Sequence, residues 1–188
     1  MQKNYLKSVL LECKYYKNLG DRTFEQLTEE QLFWSYNKAS NSIAVIVKHL
    51  WGNMRSRWTD FLNTDGEKEW RERDREFEND MPDKEAILKK WNEGWNCLFE
   101  ALESLQKEDI EKQIYIRNMG HTVIEAVNRQ LAHYAYHVEQ IVFIGKMICD
   151  GQWKSLSIAK GESKKFNKDK FDQPKHQQHF SDDFLKKS

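Results

Sequence analysis

The sequence predicts an all-α protein, namely a four-helix bundle with one long crossover connection. Its 188 residues include only 2 Pro and 8 Gly, so few turns are obligatory. Apolar residues recur along four long stretches at the spacing of amphipathic helices. The length allows little more than one domain. We expect the bundle to span residues 1–152, followed by a polar extension over residues 153–188 that is partly flexible or docked on the bundle or on a partner subunit.

The first predicted helix carries apolar side chains from Leu6 to Tyr16 at helical spacing. Gly20 follows where a left-handed cap ends many helices, so we expect this helix to end there. Residues 21–41 are mixed in character. Within them, Thr28-Glu-Glu-Gln31 fits a capping box that opens a short helical turn.

The second predicted helix begins after a cap at Ser40, Asn41 or Ser42 and reaches about Leu62. Apolar side chains cover much of its circumference, which is typical of a central helix. The breaker Asn63-Thr-Asp-Gly66 is expected to stop it.

A highly charged segment, residues 67–80, comes next and contains Trp70 and Phe77. The charge pattern predicts a solvated connection. The third helix is expected to start at Asp83, because its carboxylate can cap the first turn, and an apolar stripe then continues to Leu105.

The fourth predicted helix follows a short extended piece at residues 114–116 and a turn at residues 118–120. Thr122-Val-Ile-Glu125 is a second capping box, and it opens this helix. Apolar spacing continues to Cys149, and Gly151 is expected to end the helix.

Composition and patterning exclude several classes of protein. The 30 Lys and Arg balance the 30 Asp and Glu, which argues against a nucleic-acid binder. The apolar run Ile43–Val47 is too short to cross a bilayer, and the N-terminal residues lack a signal-peptide pattern, so we expect no membrane partner and a cytoplasmic location. Cys13, Cys97 and Cys149 form no Cys-x-x-Cys pair, which is typical of small packing residues.

Three histidines could form a metal site. His133 and His137 lie four residues apart on one face of the last long helix. His49 lies midway along the most apolar helix. If the two helices pack side by side, three imidazoles can form one face of a tetrahedron and leave the fourth position open. The alternatives are a core histidine bonded to a carbonyl and a histidine pair on a solvated face.

Other features bear on this site. No Glu stands three residues before a histidine, and no His-Glu-x-x-His occurs, which excludes di-iron and zinc-protease helices. Asn53, Gln130 and Gln140 lie one turn from the histidines and could orient them, or could cap backbone groups or face solvent. Several arginines could bind carboxylates of a small acidic thiol, or pair with surface acids: Arg55, Arg57, Arg71, Arg73 and Arg75.

Two motifs carry a family resemblance. The second helix contains Val47-Lys-His49-Leu-Trp-Gly-Asn53, and the last contains Gln130-Leu-Ala-His133-Tyr-Ala-Tyr-His137-Val-Glu-Gln140-Ile141. With this arrangement, roughly residues 1–150 resemble the DinB-like superfamily of metal-binding bundles. Four further segments are similar to a subgroup of uncharacterised bacterial proteins: Asn53-Met-Arg-Ser-Arg57-Trp, Thr64-Asp-Gly-Glu67, Trp70-Arg-Glu-Arg-Asp74 and Trp153-Lys-Ser-Leu-Ser-Ile158.

The resemblance implies a bundle in which three histidines hold a divalent metal, usually zinc or nickel, and often a homodimer. Carried over residue by residue, the ligands are His49, His133 and His137. The superfamily includes thiol transferases that join bacillithiol, mycothiol or glutathione to an electrophile, and an isomerase that uses such a thiol. The partners implied are therefore a small thiol and an electrophile, and no DNA.

Three functions remain open at this point. The first is a metal-dependent transferase that acts on a small thiol. The second is a metal-dependent hydrolase that uses the same site. The third is a non-enzymatic dimeric bundle whose histidines hold metal for stability or hold none.

Overall fold

A computed structural model describes residues 2–185, with side chains from residue 4 onwards, and confirms the predicted helical class. The helices are α1 (Gln2–Phe24), α2 (Glu29–Phe33), α3 (Ile43–Trp58), α4 (Lys84–Ser104), α5 (Val123–Cys149), α6 (Ser163–Phe171) and α7 (Asp182–Leu185). The strands are β1 (Gln113–Ile116) and β2 (Met119–Thr122), which form one small antiparallel sheet. Among the helices of residues 2–185, none combines the length and the apolarity needed to cross a membrane.

Four long helices, α1, α3, α4 and α5, share one hydrophobic core. The most extensive contacts join α3 to α4 and α1 to α5, while α3 also packs on α5 and α1 on α4. As predicted, α3 is central, because thirteen of its sixteen residues are buried. Large rings fill the centre, including the fully buried side chains of Trp91, Trp95 and Tyr134.

The predicted helix starts are confirmed, because each depends on a local hydrogen bond. Ser42 Oγ accepts the backbone N–H of Val45 at 3.2 Å, and Asp83 Oδ1 accepts that of Ala86 at 2.8 Å. Thr28 and Thr122 form the two predicted capping boxes. These caps satisfy N–H groups that have no partner within a helix.

The predicted end of the first helix at Gly20 is wrong, since α1 continues to Phe24. A Cβ atom at Gly20 would lie 2.3 Å from Trp91 Cζ2 of α4. Gly20 therefore permits a close approach between two helices rather than a left-handed cap. Asp21 Oδ1 reinforces the contact by accepting the indole N–H of Trp91 at 2.7 Å.

The second predicted helix ends earlier than expected, at Trp58 instead of about Leu62. Asp60 has a left-handed φ of 46°, which turns the chain away from the helix axis. Ser56 Oγ then donates to the carbonyl of Gly66 at 2.7 Å and fixes the returning loop against α3.

The predicted extended piece is confirmed as β1, but the turn lies one residue earlier than expected. Arg117 and Asn118 form it, both with positive φ, 56° and 59°, as in a two-residue hairpin turn. Their backbone N–H groups donate to the two carboxylate oxygens of Asp65, each at 2.8 Å. Gly120 lies within β2, opposite Tyr115. The carboxylate of Asp65 therefore ties the hairpin to the loop after α3.

The charged segment at residues 67–80 is not simply a solvated connection. Trp70 is exposed, but Glu76 is only 5% exposed and the side chain of Arg71 only 2%. A short 3-10 turn, Asp74–Phe77, packs against α3 and carries Glu76 inward. This segment therefore places the ion pair of Arg71 and Glu76 in the interior beside α3.

Residues after Trp153 contact α1 and the loop that follows it. The backbone N–H of Lys154 donates to Gln26 Oε1 at 2.7 Å, and Arg22 donates to the carbonyl of Leu156 at 2.7 Å. Further on, α7 packs against α1, where the rings of Tyr15 and Phe184 lie with centroids 5.5 Å apart. Of the predicted extension at residues 153–188, residues 186–188 lie outside the described range.

Candidate metal centre

The three predicted histidines converge. His133 Nε2 lies 3.4 Å from His49 Nε2 and 3.1 Å from His137 Nε2, and the potential ligand atoms all lie within 4.8 Å of one another. His49 comes from α3 and is 5% exposed, while the two histidines of α5 are partly buried. Two helices that are far apart in sequence therefore place three imidazoles together.

A buried hydrogen-bond chain holds α3 and α5 in register beside the histidines. Trp58 Nε1 donates to the hydroxyl of Tyr134 at 2.8 Å, and that hydroxyl donates to Asn53 Oδ1 at 3.2 Å. Tyr134 directly follows His133 in α5. Asn53 thus contacts Tyr134 rather than an imidazole, and it positions the helix that carries the histidine pair.

His49 is oriented by a residue that the sequence did not point to. Its Nδ1 lies 2.9 Å from Glu76 Oε2, and Arg71 binds the same carboxylate through Nε at 2.7 Å and Nη2 at 3.0 Å. Burial alone would raise the pKa of Glu76, but the hydrogen bonds from His49 and Arg71 outweigh burial and lower it. The carboxylate stays ionised and fixes the ring of His49.

The absence of a side chain at Gly52 makes room for this carboxylate. A Cβ atom at Gly52 would lie 2.2 Å from Glu76 Oε1. Gly52 follows His49 by three residues, so both face the same side of α3. The glycine in the apolar helix, one turn from a candidate ligand, was the sequence signal that another part of the chain packs closely against this face of α3.

The hydrogen bonds at the outer nitrogens determine which tautomers are present. An ionised carboxylate only accepts, so Nδ1 of His49 donates to Glu76. Nδ1 of His137 lies 3.1 Å from Gln140 Oε1, an amide oxygen that also only accepts, and this places the predicted Gln140 in contact with a histidine. A neutral imidazole has a single N–H. When such a ring is neutral, its Nε2 presents a bare lone pair towards the centre of the cluster.

The cluster suits a cation. Burial, and then the neighbouring rings, lower the pKa of His133 to about 3 and that of His137 to about 4, so both are neutral at pH 7. Nitrogen ligands of a tetrahedral ion with bonds of about 2.0–2.1 Å lie about 3.3 Å apart. The Nε2 separations of 3.1 and 3.4 Å match that spacing. The three histidines could therefore hold a metal ion.

A cavity of about 390 Å³ lies in front of the cluster. All three histidines line it, together with Gln130, Tyr136 and several arginines. Gln130 is 3% exposed, and its Oε1 has no hydrogen-bond partner among the described residues. The predicted role of Gln130 in orienting a ligand is therefore not seen as a hydrogen bond, although the residue lines the cavity.

The candidate arginines fall into different environments. Arg71 is buried against Glu76, and Arg57 is buried with Nη1 3.0 Å from Glu67 Oε2. Arg73 lines the cavity. By contrast, Arg75 pairs with Glu72 on the surface. Two more cavity arginines were not predicted: Arg117, on the hairpin turn, and Arg129, one turn before His133.

We expect Glu76→Gln to weaken metal binding by about 10- to 100-fold, because the neutral amide holds the ring of His49 less strongly and makes the imidazole a weaker ligand. Competition titration against a chromogenic zinc chelator measures the change. Glu72→Gln is the matched control, since it removes the same charge from the same segment, and Glu72 pairs with Arg75 at the surface. Equal zinc affinity in wild type and Glu76→Gln would contradict the role given to this carboxylate.

We also expect Gly52→Ala to weaken metal binding. Alanine in place of glycine within a helix normally stabilises it by about 1 kcal/mol. Here the added methyl group would displace the carboxylate of Glu76, so zinc affinity should fall and the free energy of unfolding should not rise. The same chelator titration and urea unfolding give the two quantities.

A double variant checks that this effect passes through Glu76. In a Glu76→Gln background, Gly52→Ala should change zinc affinity much less than it does in the wild type, because coupled residues are not additive. If the losses of zinc affinity from the two substitutions are additive, Gly52→Ala acts through another contact of α3 and not through Glu76.

Comparison with known proteins gives one match. A family model described as "Protein of unknown function (DUF1572)" matches residues 1–162. No curated protein and no solved structure matches the chain. The matched region contains the four long helices and all three histidines of the cluster. Since the match covers most of the sequence, the chain belongs to the DUF1572 family.

Proposed function

We propose that this protein binds one divalent metal ion, zinc or nickel, through His49, His133 and His137, and that it is a metal-dependent transferase joining a low-molecular-weight thiol to an electrophile. The observation that carries the proposal is the convergence of three Nε2 atoms beside a cavity, with two of the rings held at Nδ1 by Glu76 and Gln140. We further propose that the four long helices form a bundle of the DinB type, as the sequence motifs imply.

The donor set supports an open site. Neutral imidazoles suit zinc, nickel, copper and iron. Three protein ligands with one free position are typical of catalytic zinc, whereas structural zinc is closed by four protein ligands. The side of the cluster that faces the cavity is where a small molecule would reach the ion.

A bound divalent ion would supply Lewis acidity that lowers the pKa of a coordinating thiol or water. The protein's own groups hold the ligands for this task. Glu76 and Gln140 fix two rings through Nδ1, and Phe77 stacks on His49 with ring centroids 5.0 Å apart. The ring of Phe77 thus covers one face of the His49 imidazole. The electrophile, the second substrate of the proposed reaction, would occupy the cavity in front of the cluster.

The lining of the cavity favours thiol transfer over hydrolysis. None of the described residues that line it is Asp or Glu, so no carboxylate faces the cavity as a general base for water. The zinc-protease helix, by comparison, supplies a glutamate for that purpose. A bound ion would lower the pKa of a thiol far enough that no protein base is needed. The lining thus suits a nucleophile that needs only the ion.

The partners follow from this proposal. We propose a small thiol and a small electrophile as substrates, with no nucleic acid involved, and a cytoplasmic homodimer as the working form. The balanced charge of the chain, with 30 basic and 30 acidic residues, agrees with small-molecule partners.

We expect His49→Ala and His133→Ala each to remove most of the bound metal while leaving the helical content intact. Mass-spectrometric metal analysis of untagged protein, after repletion with zinc or nickel and gel filtration, measures occupancy. His176→Ala, at an exposed position outside the cluster, is the matched control. Wild-type occupancy below about a half equivalent would contradict a three-histidine site.

We expect the metal-loaded protein to consume a chloronitrobenzene electrophile only when a thiol is present. In this reaction the sulfur–carbon bond forms, the carbon–chlorine bond breaks, chloride leaves and the thiol proton passes to solvent. Absorbance follows the thioether product with cysteine, glutathione or another small thiol. His133→Ala should reduce the rate to that of the uncatalysed reaction.

The same assay separates the other functions. Turnover of an ester or amide that proceeds equally well without thiol would indicate a hydrolase. Full metal occupancy with no turnover of either kind would indicate a protein that binds metal for stability.

A further inference from the structure

The cavity beside the three histidines concentrates positive charge in a chain whose net charge is zero. Five arginines line it: Arg57, Arg71, Arg73, Arg117 and Arg129. Three carboxylates pair with them, those of Glu67, Asp74 and Glu76. The guanidinium groups therefore outnumber the carboxylates that neutralise them.

One of these carboxylates is shared among three arginines. Glu67 Oε2 lies 3.0 Å from Arg57 Nη1, 3.4 Å from Arg71 Nη1 and 3.1 Å from Arg117 Nη2. A single negative charge cannot balance three positive ones. An excess of positive potential thus persists at the wall of the cavity even where ion pairs exist.

Two arginines at the cavity are almost free of acidic partners. Arg73 stacks over the ring of Phe77 at 5.2 Å, and its carboxylate contact is Asp74 at 3.9 Å, whose side chain is fully exposed. Arg129 is exposed and has neither an ion pair nor a hydrogen bond among the described residues. Their guanidinium groups remain available to a ligand.

Two buried polar atoms at the cavity have no partner among the described residues. These are Nε of Arg57 and Oε1 of Gln130, in residues that are 6% and 3% exposed. A buried donor or acceptor without a hydrogen bond is costly. Both residues line the cavity, but these two atoms are enclosed by protein, so an anion would meet the guanidinium groups of Arg73, Arg117 and Arg129 instead.

We propose that the cavity binds a small organic anion, a substrate that carries at least one carboxylate or phosphate group. The anionic group binds Arg73, Arg117 and Arg129, and the thiol of the same molecule lies towards the histidines. This inference rests on the proposed function and names the chemical class of its thiol. Guanidinium groups bind carboxylate and phosphate through paired hydrogen bonds.

The size of the cavity agrees with a small molecule. Its volume of about 390 Å³ lies near the lower end of the range typical of small-molecule sites. The five arginines come from α3, the segment before α4, the hairpin turn and α5, so they surround the space instead of forming a flat basic stripe. A nucleic-acid backbone would require such a stripe.

The test compares two probe thiols by titration calorimetry on the zinc-loaded protein: mercaptosuccinate, which is anionic, and thioglycerol, which is neutral. We expect mercaptosuccinate to bind about tenfold more tightly or better. Arg73→Gln and Arg129→Gln should each weaken the binding of mercaptosuccinate by about tenfold and leave the affinity for thioglycerol unchanged. Equal affinity for the two thiols, or a preference that neither variant reduces, would overturn the inference.

Lys146→Gln is the matched control. It removes one positive charge from an exposed position on α5, about 25 Å along the helix from Arg129. It should leave mercaptosuccinate binding unchanged. A loss as large as that of Arg129→Gln would assign the preference to general surface charge and contradict a defined site.

Competition identifies the anionic group. Malate and inorganic phosphate are each titrated against bound mercaptosuccinate. The stronger competitor shows whether the site prefers carboxylate or phosphate, and failure of both to compete would contradict an anion site.

Metal-free protein separates this inference from the proposed function. Malate or phosphate should raise the unfolding temperature of metal-free wild type but not that of Arg129→Gln. This result would support the anion site even if the histidines held no metal. Full zinc occupancy without any preference for the anionic thiol would overturn the anion site and leave the metal site standing.

Discussion

The arrangement at the three histidines depends on one buried carboxylate. Glu76 accepts hydrogen bonds from His49 and, through both of its oxygens, from Arg71. A buried charge is costly unless it is paired, and here the guanidinium of Arg71 compensates it. The pair attaches the segment before α4 to α3, and Gly52 leaves the space it occupies. Without Glu76, the ring of His49 would lose its hydrogen bond at Nδ1, and the buried Arg71 would be left with the longer contact to Glu67 at 3.4 Å.

Local signals explain what the sequence predicted well. The starts of α3, α4 and α5 were predicted because a capping side chain bonds an N–H three residues later. The convergence of the histidines was predicted because His133 and His137 share a helix face and His49 lies on the most apolar helix. Contacts between distant segments explain the errors. Gly20 resembles a helix stop until Trp91 of α4 packs against it, and no local pattern reveals that neighbour.

The charged cavity shows a second limit of sequence reasoning. A net charge of zero describes the whole chain, but folding sorts charge in space. Arg117 reaches the cavity because Asp65 accepts two backbone N–H groups of a left-handed turn, and that contact joins residues more than fifty positions apart. Arg129 was within reach of prediction, since it precedes His133 by one helical turn. Arg117 was not, since its place depends entirely on the tertiary contact.

The two halves of the site are electrostatically coupled. Three neutral imidazoles would leave the charge of a divalent ion uncompensated, because Glu76 is already paired with Arg71, and the arginines of the cavity add further positive charge. A bound anion would offset both. Each ligand would then raise the affinity of the other by the same factor, since coupling between two binding sites is reciprocal. The excess of arginine beside the histidines would therefore weaken binding of the ion in an empty cavity, and a bound anionic thiol would offset that effect, so metal and substrate would stabilise one another.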